Sequence, residues 1–224
     1  MPEFRADCRL CSRLAHHLDR VREAHPGYHA LPVPAFGARR PRLLIVGLAP
    51  GMHGANRTGR PFTGDYAGIL LYDTLYRFGF SNQPGSTARG DGLELEKCRV
   101  TNAVKCLPPQ NKPTPAEVAR CNAYLAAEIA ALPAGAAILA LGVIVHGAVL
   151  MALGIRRAEC RFRHGARHDL PRGLALYDSY HCSRYNTQTR RLTPAMFRNV
   201  LAEIATHLRP RRTRIRRSPR KRSS

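Results

Sequence analysis

The sequence predicts an α/β fold: a three-layer αβα sandwich in which a four-stranded, mostly parallel sheet lies between helices. Two observations predict it. Short aliphatic and β-branched runs, bounded by glycine, proline or charge, alternate with longer segments of helical periodicity. The chain has 224 residues and is 44% apolar, which is enough for one sizeable core. Such alternation is typical of parallel strands joined by helices.

Four runs have the composition of buried parallel strands. Each is short and rich in Leu, Ile, Val and Ala, as expected of a strand covered on both faces. They are RLLIVGLA at 42–49, CRVTNAV at 98–104, AAILALG at 136–142 and LALYDSY at 174–180. The sequence has no internal repeat, so we assign residues 1–208 to one domain.

The segments that follow these runs have helix signals. The helix predicted at 114–132 begins with TPAE, in which Thr and Glu form a capping box and Pro occupies the first turn. Further helices are predicted at 65–78, 143–153 and 194–208.

The charge of the chain points to a polyanionic partner. Thirty-six basic residues against fifteen acidic ones give a formal net charge of +21, far more than solubility requires. The stretch 209–224 carries nine Lys and Arg and no acid, and is predicted to be a disordered tail. Without those nine charges, +12 remains on the rest. Nucleic acid is the leading candidate partner, the alternative being a tail that only aids solubility.

No segment has the pattern of a membrane span. The most apolar stretch, 134–153, is interrupted by Gly142, His146 and Gly147, and the N-terminus lacks a cleavable apolar segment. We therefore expect a cytoplasmic protein.

Four of the seven cysteines have a two-plus-two spacing. Cys8 and Cys11 form CRLC, whereas Cys106 and Cys121 are separated by fourteen residues. Four thiolates in this pattern suit tetrahedral zinc or a [4Fe-4S] cluster, and spacing alone does not separate the two. The remaining alternative is four unrelated cysteines. An odd total in a cytoplasmic chain disfavours a disulfide framework.

A glycine-rich loop, GLAPGMHGANRTGRPFTGD at 47–65, follows the first strand. It lacks both the Lys-Ser/Thr ending of a P-loop and the spacing of a dinucleotide fingerprint. Functional residues of such sheets collect beyond the carboxyl ends of the strands. We therefore expect one pocket built from polar residues that follow three of the strands: Asn56, Asp65, Asn102, His181, Ser183 and Asn186.

The loop at 47–65, together with TNAVKC, HCSRYNTQT and the spaced cysteines, resembles the family 5 (type b) uracil-DNA glycosylases, iron-sulfur members of the uracil-DNA glycosylase superfamily. The resemblance covers roughly residues 5–207. It implies a four-stranded parallel sheet, removal of uracil from DNA, and a [4Fe-4S] cluster rather than zinc. The implied cluster ligands are Cys8, Cys11, Cys106 and Cys121.

The resemblance also implies roles for residues that recognise the base. Phe62 matches the stacking residue, and an aromatic ring suits a flipped base; its alternative role is to anchor the loop. Asn102 matches the residue that reads the O4 and N3–H edge of uracil, since an amide offers a donor and an acceptor; alternatively it caps a turn. Gly51 and His53 complete the predicted base-binding set.

Two residues are predicted to be catalytic. His181 matches the histidine of the second motif and can donate to uracil O2 even when neutral; a structural histidine is the alternative. Asp65 matches the family's acidic residue, and its alternative is the N-cap of the following helix. Leu48 stands where many superfamily members have an acid or amide, which is typical of family 5.

DNA contacts are predicted on both sides of the pocket. The segment SRYNTQT at 183–189 is polar and irregular and resembles a minor-groove wedge, with a plain surface loop as the alternative. The predicted contacts are Asn56, Arg57, Arg60, Ser183, Arg184, Tyr185 and Asn186.

These features predict a monofunctional, monomeric glycosylase that flips uracil out of single- or double-stranded DNA and leaves an abasic site in base excision repair. Hypoxanthine and other deaminated bases are predicted as additional substrates. One alternative is a non-catalytic four-cysteine zinc module that binds nucleic acid. Another is a family 4-like glycosylase, although that group has an acid where Leu48 stands.

Overall fold

The computed structural model describes residues 4–209, so the predicted tail, apart from Arg209, lies outside the described residues. Six strands form one sheet in the order β1-β3-β2-β4-β6-β5. The strands are β1 (Phe36–Gly37), β2 (Leu43–Gly47), β3 (Cys98–Asn102), β4 (Ala137–Leu141), β5 (Arg167–Asp169) and β6 (Ala175–Ser179). The helices are α1 (Ser12–Ala24), α2 (Ala55–Thr58), α3 (Tyr66–Arg77), α4 (Pro115–Ala130), α5 (Val143–Ala152), α6 (Arg184–Gln188) and α7 (Pro194–Leu208).

The α/β class is confirmed, but the number of strands is not four. The four predicted runs form the central parallel strands β3, β2, β4 and β6. Two short strands, β1 and β5, pair antiparallel at the edges. A strand of two or three residues is too short to produce an alternating pattern, and β5 (RHD) is polar throughout because it lies at an edge.

The structure also contains a short polar helix that the sequence pattern did not indicate. The stretch predicted to be irregular after β6 contains the five-residue helix α6. Ser183 caps this helix, since its Oγ accepts a hydrogen bond from the Asn186 N–H at 3.4 Å. The predicted capping box of α4 is present at Thr114 and Glu117.

The core consists of two layers, one on each face of the sheet. Because side chains alternate along a strand, Leu44 and Val46 of β2 pack under α1, α4 and α5, whereas Leu43 and Ile45 pack under α3 and α7. All four are fully buried. Among residues 4–209, no helix combines the length and apolarity that crossing a bilayer requires.

A buried charged cluster lies between α5 and β6. His146 Nδ1 is 2.7 Å from Asp178 Oδ1, and His146 Nε2 is 2.8 Å from the Cys160 carbonyl oxygen. Both neighbours can accept, so a doubly protonated His146 ring would satisfy both hydrogen bonds. His168 Nε2 lies 2.9 Å from the second Asp178 oxygen. Burial lowers the pKa of His146, but the Asp178 and Cys160 hydrogen bonds outweigh it and leave the pKa raised.

Raising the pH should remove the stabilisation that this cluster gives. A raised folded-state pKa means that the contribution is complete below the ordinary histidine pKa of about 6.5 and is lost as the pH rises through the folded value. We expect the difference in unfolding free energy between the wild type and His146→Gln to shrink from pH 6 towards pH 9. Denaturant titrations across this range measure it, and a constant difference would contradict the assignment.

Candidate active site

A pocket of about 400 Å³ opens at the carboxyl edge of the sheet. The loop after β2, the end of β3 and the segment after β6 all contribute to it, as expected where parallel strands end together. Its polar and aromatic lining includes Phe62, Asp65, Tyr66, Asn102, Asn111, His181, Ser183 and Arg184, with Gly51 and Leu48 in the wall. The structure thus brings both predicted catalytic residues together with Phe62, Asn102 and Gly51.

Asp65 both caps a helix and lines the pocket. Its Oδ1 accepts a hydrogen bond from the Gly68 N–H at 2.9 Å at the start of α3. Burial raises the pKa of this carboxyl group, while the backbone N–H groups of Gly68 and Ala67 act in the opposite direction. The cap fixes one oxygen, so the carboxylate is held in one orientation within the pocket wall.

Two glycines of the loop provide space for site side chains. A Cβ on Gly54 would lie 2.5 Å from Asp65 Oδ2, and a Cβ on Gly47 would lie 2.5 Å from Asn102 Oδ1 and 2.6 Å from Phe62 Cζ. Contacts this short are not tolerated. Both positions therefore require glycine because functional side chains of the protein itself occupy the space.

Phe62 has an unusual backbone conformation. Its φ of +53° lies in the left-handed region, which is strained for an aromatic residue. The ring is 5% exposed and lies nearly parallel to the His181 ring, with centroids 5.9 Å apart and planes inclined by 25°. Strain of this kind persists where the surroundings enforce it, typically at a functional site.

The Asn102 amide and the His181 imidazole offer free hydrogen-bonding groups. Neither side chain has a hydrogen-bond partner within residues 4–209, although Asn102 is only 3% exposed. Burial lowers the pKa of His181 to about 4, so the ring is neutral at physiological pH. It therefore has one N–H donor and no charge. The His181 carbonyl oxygen accepts a hydrogen bond from Asn186 Nδ2 at 2.8 Å, which fixes the segment after β6.

Asn111 is a pocket residue that the sequence analysis missed. It lies in the turn Pro109–Asn111, where Gln110 and Asn111 have φ values of +55° and +57°. Asparagine tolerates this conformation better than glutamine does. The sequence PPQNKP marks a turn, but only the fold shows that this turn reaches the pocket.

The four spaced cysteines line one cavity on the opposite side of β3 from α3. Cys8 and Cys11 precede α1, Cys106 follows β3, and Cys121 lies on α4. The Lys105 N–H donates to Cys121 Sγ at 3.3 Å. The four spaced cysteines therefore meet at one cavity in the fold. Cys98, Cys160 and Cys182 lie outside that cavity.

Comparisons with known proteins identify the family of this chain. The model of the uracil DNA glycosylase superfamily matches residues 34–205. The type-5 uracil-DNA glycosylase of Thermus thermophilus is 48% identical over 201 residues, which cover 88% of this chain and 91% of the relative. The type-5 enzyme of Pyrobaculum aerophilum is 40% identical over 203 residues, or 89% and 88% of the two chains. The chain belongs to the type-5 uracil-DNA glycosylase family.

Type-4 relatives match less of the chain. The type-4 uracil-DNA glycosylase of Pyrobaculum aerophilum is 39% identical over 133 residues, or 59% of each chain. The type-5 relative from the same organism extends over 203 residues. The type-4 alternative is therefore less well supported than membership in the type-5 family.

Two residues predicted to contact DNA are buried instead. Arg60 is 4% exposed and forms an ion pair with Asp91 at 2.6 Å, and its guanidinium lies over the Phe36 ring. Asn56 is fully buried, with both amide atoms unpartnered among the described residues. Neither side chain can reach a DNA backbone in this structure, so both predictions are corrected.

The base contact of His53 stays a prediction, since this side chain lies outside the pocket in the structure. Its Nδ1 lies 2.8 Å from the Tyr28 hydroxyl, and the residue is not part of the pocket lining. It links the loop after β2 to the segment after α1. Arg57, by contrast, is exposed beside it and donates to the His53 carbonyl oxygen at 2.7 Å.

Adding one methyl group at Gly54 should disable the site of this type-5 enzyme. The new Cβ of Gly54→Ala would displace the Asp65 carboxylate, so we expect a loss of at least about tenfold in uracil excision, since small misplacements of catalytic groups are costly. Gly27→Ala is the control, because a Cβ there meets nothing within 4 Å. Equal single-turnover rates for the two variants would contradict the role given to Gly54.

Proposed function

We propose that this chain hydrolyses the N-glycosidic bond of deoxyuridine in DNA, releases uracil and leaves an abasic site for base excision repair. The observation that carries the proposal is the content of the pocket. An aromatic face, an unpartnered amide, a neutral imidazole and a carboxylate lie around one cavity at the sheet edge. Type-5 family membership gives the same reaction independently.

Base recognition is assigned to Phe62 and Asn102. Flipping a base out of a duplex costs a few kcal/mol, and stacking on an aromatic side chain returns about 1 to 3 kcal/mol. The Asn102 amide can donate to uracil O4 and accept from N3–H at once. Because this amide is almost fully buried, a base that leaves it unpaired is penalised.

Bond cleavage is assigned to His181 and Asp65. As the C1′–N1 bond breaks, its electron pair passes to the base, and negative charge develops at uracil O2. The His181 N–H stabilises that charge without first adding a proton. The Asp65 carboxylate stabilises the positive charge on the sugar and accepts the proton of the water that adds to C1′. Asn111 offers a second amide at the pocket for orienting that water or the sugar.

The segment after β6 is assigned to the DNA that surrounds the flipped base. Ser183 and Arg184 line the pocket, and Tyr185 is 71% exposed, as expected of a side chain that occupies the space left in the duplex. Asn186 holds the segment through its bond to the His181 carbonyl oxygen. Activity on hypoxanthine and other deaminated bases remains part of the proposal, supported by a pocket of about 400 Å³.

We further propose that Cys8, Cys11, Cys106 and Cys121 hold a [4Fe-4S] cluster. The four thiols line one cavity, which fits a shared metal centre. Four thiolates around one cavity suit a tetrahedral zinc ion or a [4Fe-4S] cluster. The resemblance to the iron-sulfur uracil-DNA glycosylases favours the cluster.

The cluster would act as a cross-link between chain segments. Cys106 lies four residues after Asn102, and Cys106 and Cys121 flank the turn that carries Asn111. Holding both ends of that stretch fixes two amides of the pocket. The monomeric state and the cytoplasmic location remain predictions.

Replacing Asp65 by asparagine should separate chemistry from binding. Asp65→Asn keeps an oxygen that can cap α3 but loses the charge, so we expect the rate of uracil release to fall by about 10² or more. Binding to a uracil-containing duplex should change little. Asp73→Asn on the exposed face of α3 is the control. A wild-type rate for Asp65→Asn, or intact DNA after alkali treatment of the wild-type reaction, would refute the proposal.

Purified protein should be brown and contain about four iron and four sulfide per chain. Cys106→Ser should lose both colour and iron, whereas Cys160→Ser, outside the cavity, should keep them. Visible absorption measures the colour of each variant, and metal analysis measures its iron and zinc content. A colourless preparation with one zinc per chain would favour the alternative of a zinc module.

A further inference from the structure

Tyr180, the residue before His181, is held between two basic side chains. The His164 ring stacks on it with centroids 5.0 Å apart and planes inclined by 15°. The Arg191 guanidinium carbon lies 4.7 Å from the centroid of the same ring. The Tyr180 N–H also donates to His164 Nδ1 at 3.2 Å. The segment before β5 is thus fixed against the segment that leads into the pocket.

This contact places the segment before β5 at the same edge of the sheet as the pocket. β5 runs antiparallel to β6, and the Gly165 N–H donates to the Asp178 carbonyl oxygen at 2.9 Å. Residues before Gly165 therefore lie beyond the carboxyl end of β6. Arg161 and Arg163 are exposed there.

Four arginines around this contact have no carboxylate partner among the described residues. We name Arg161, Arg163, Arg190 and Arg191 the cationic strip; Arg161, Arg163 and Arg190 are free of side-chain hydrogen bonds within residues 4–209, and Arg191 lies over Tyr180. Two nearby arginines, in contrast, form ion pairs. Arg156 pairs with Glu159 and Arg167 pairs with Asp169, each at 2.8 Å.

The acidic residues nearest to the strip in the sequence already have partners, and Glu159 pairs with Arg156. Between Cys160 and Val200 the acidic residues are Asp169 and Asp178. Asp169 pairs with Arg167, and Asp178 is fully buried with His146 and His168. The strip therefore presents exposed guanidinium groups without carboxylate partners, and arginine binds phosphate well. Arg184 adds a further exposed guanidinium at the pocket.

We propose that the cationic strip binds backbone phosphates of the duplex that flanks the flipped nucleotide. The inference rests on the proposed function, because it takes the pocket as the position of that nucleotide. The duplex extends from the pocket mouth past the Tyr180 contact to Arg161 and Arg163. Phosphate contacts carry no sequence information, so the strip adds affinity for damaged and undamaged duplex alike.

The test compares two double variants that lose the same charge. Arg161→Gln/Arg163→Gln removes half of the strip. Arg39→Gln/Arg40→Gln removes two exposed arginines just before β2, at the opposite edge of the sheet. Binding is measured from about 50 to 200 mM salt on duplexes with and without 2′-fluoro-2′-deoxyuridine, whose glycosidic bond resists cleavage. Each lost phosphate contact should make the slope of log K against log salt less negative by about 0.9.

We expect a slope change of about one to two units for the strip variant on both duplexes, and almost none for the control variant. Uracil release at saturating enzyme should stay at the wild-type rate in both. An unchanged slope for the strip variant, or equal changes in the two variants, would overturn the inference. Failure of the proposed function is a separate outcome, namely that the wild type releases no uracil even though the slopes can still be measured.

Discussion

The parallel register of the four central strands is the constraint on which the site depends. Gly47 at the end of β2 pairs with Asn102 at the end of β3, and Leu141 of β4 pairs with Ser179 of β6, two residues before His181. This register brings Gly47 beside the Asn102 amide. The same register places His181 and Asp65 in the wall of one pocket. A slip of one residue would turn each of these side chains to the other face.

Close packing then fixes the orientation of the side chains. The first turn of α3 holds Asp65 Oδ1 through a hydrogen bond from the Gly68 N–H. Asp65 Oδ2 occupies the space that a Cβ on Gly54 would need. Phe62 retains a strained backbone conformation because its ring fills the space between Gly47 and His181. Folding therefore orients these side chains in advance, and little rearrangement is left for the reaction. In exchange, burying the unpartnered Asn102 amide lowers the stability of the folded protein.

The strength of local patterns decided how much could be predicted. The central strands and long helices follow from runs of five or more residues, and the strand-end rule placed Asp65, Asn102 and His181 in one pocket. Arg60 was misassigned because its partner, Asp91, lies thirty-one residues away, and no local pattern reveals a buried ion pair of that kind. Asn111 was missed for a related reason, since a turn between prolines has no periodicity that shows where it packs. The glycine pattern of the loop likewise did not show that Gly47 and Gly54 make room for the protein's own side chains.

In the proposed reaction, a neutral His181 contacts the base in the pocket that also contains Asp65. Nitrogen-15 NMR of the His181 ring, with and without a duplex that carries 2′-fluoro-2′-deoxyuridine, tests this contact. With a pKa of about 4, the ring should have one protonated and one unprotonated nitrogen from about pH 5.5 to 8, and the protonated nitrogen should shift when the duplex binds. A doubly protonated ring, or unchanged resonances with the DNA bound, would contradict the account.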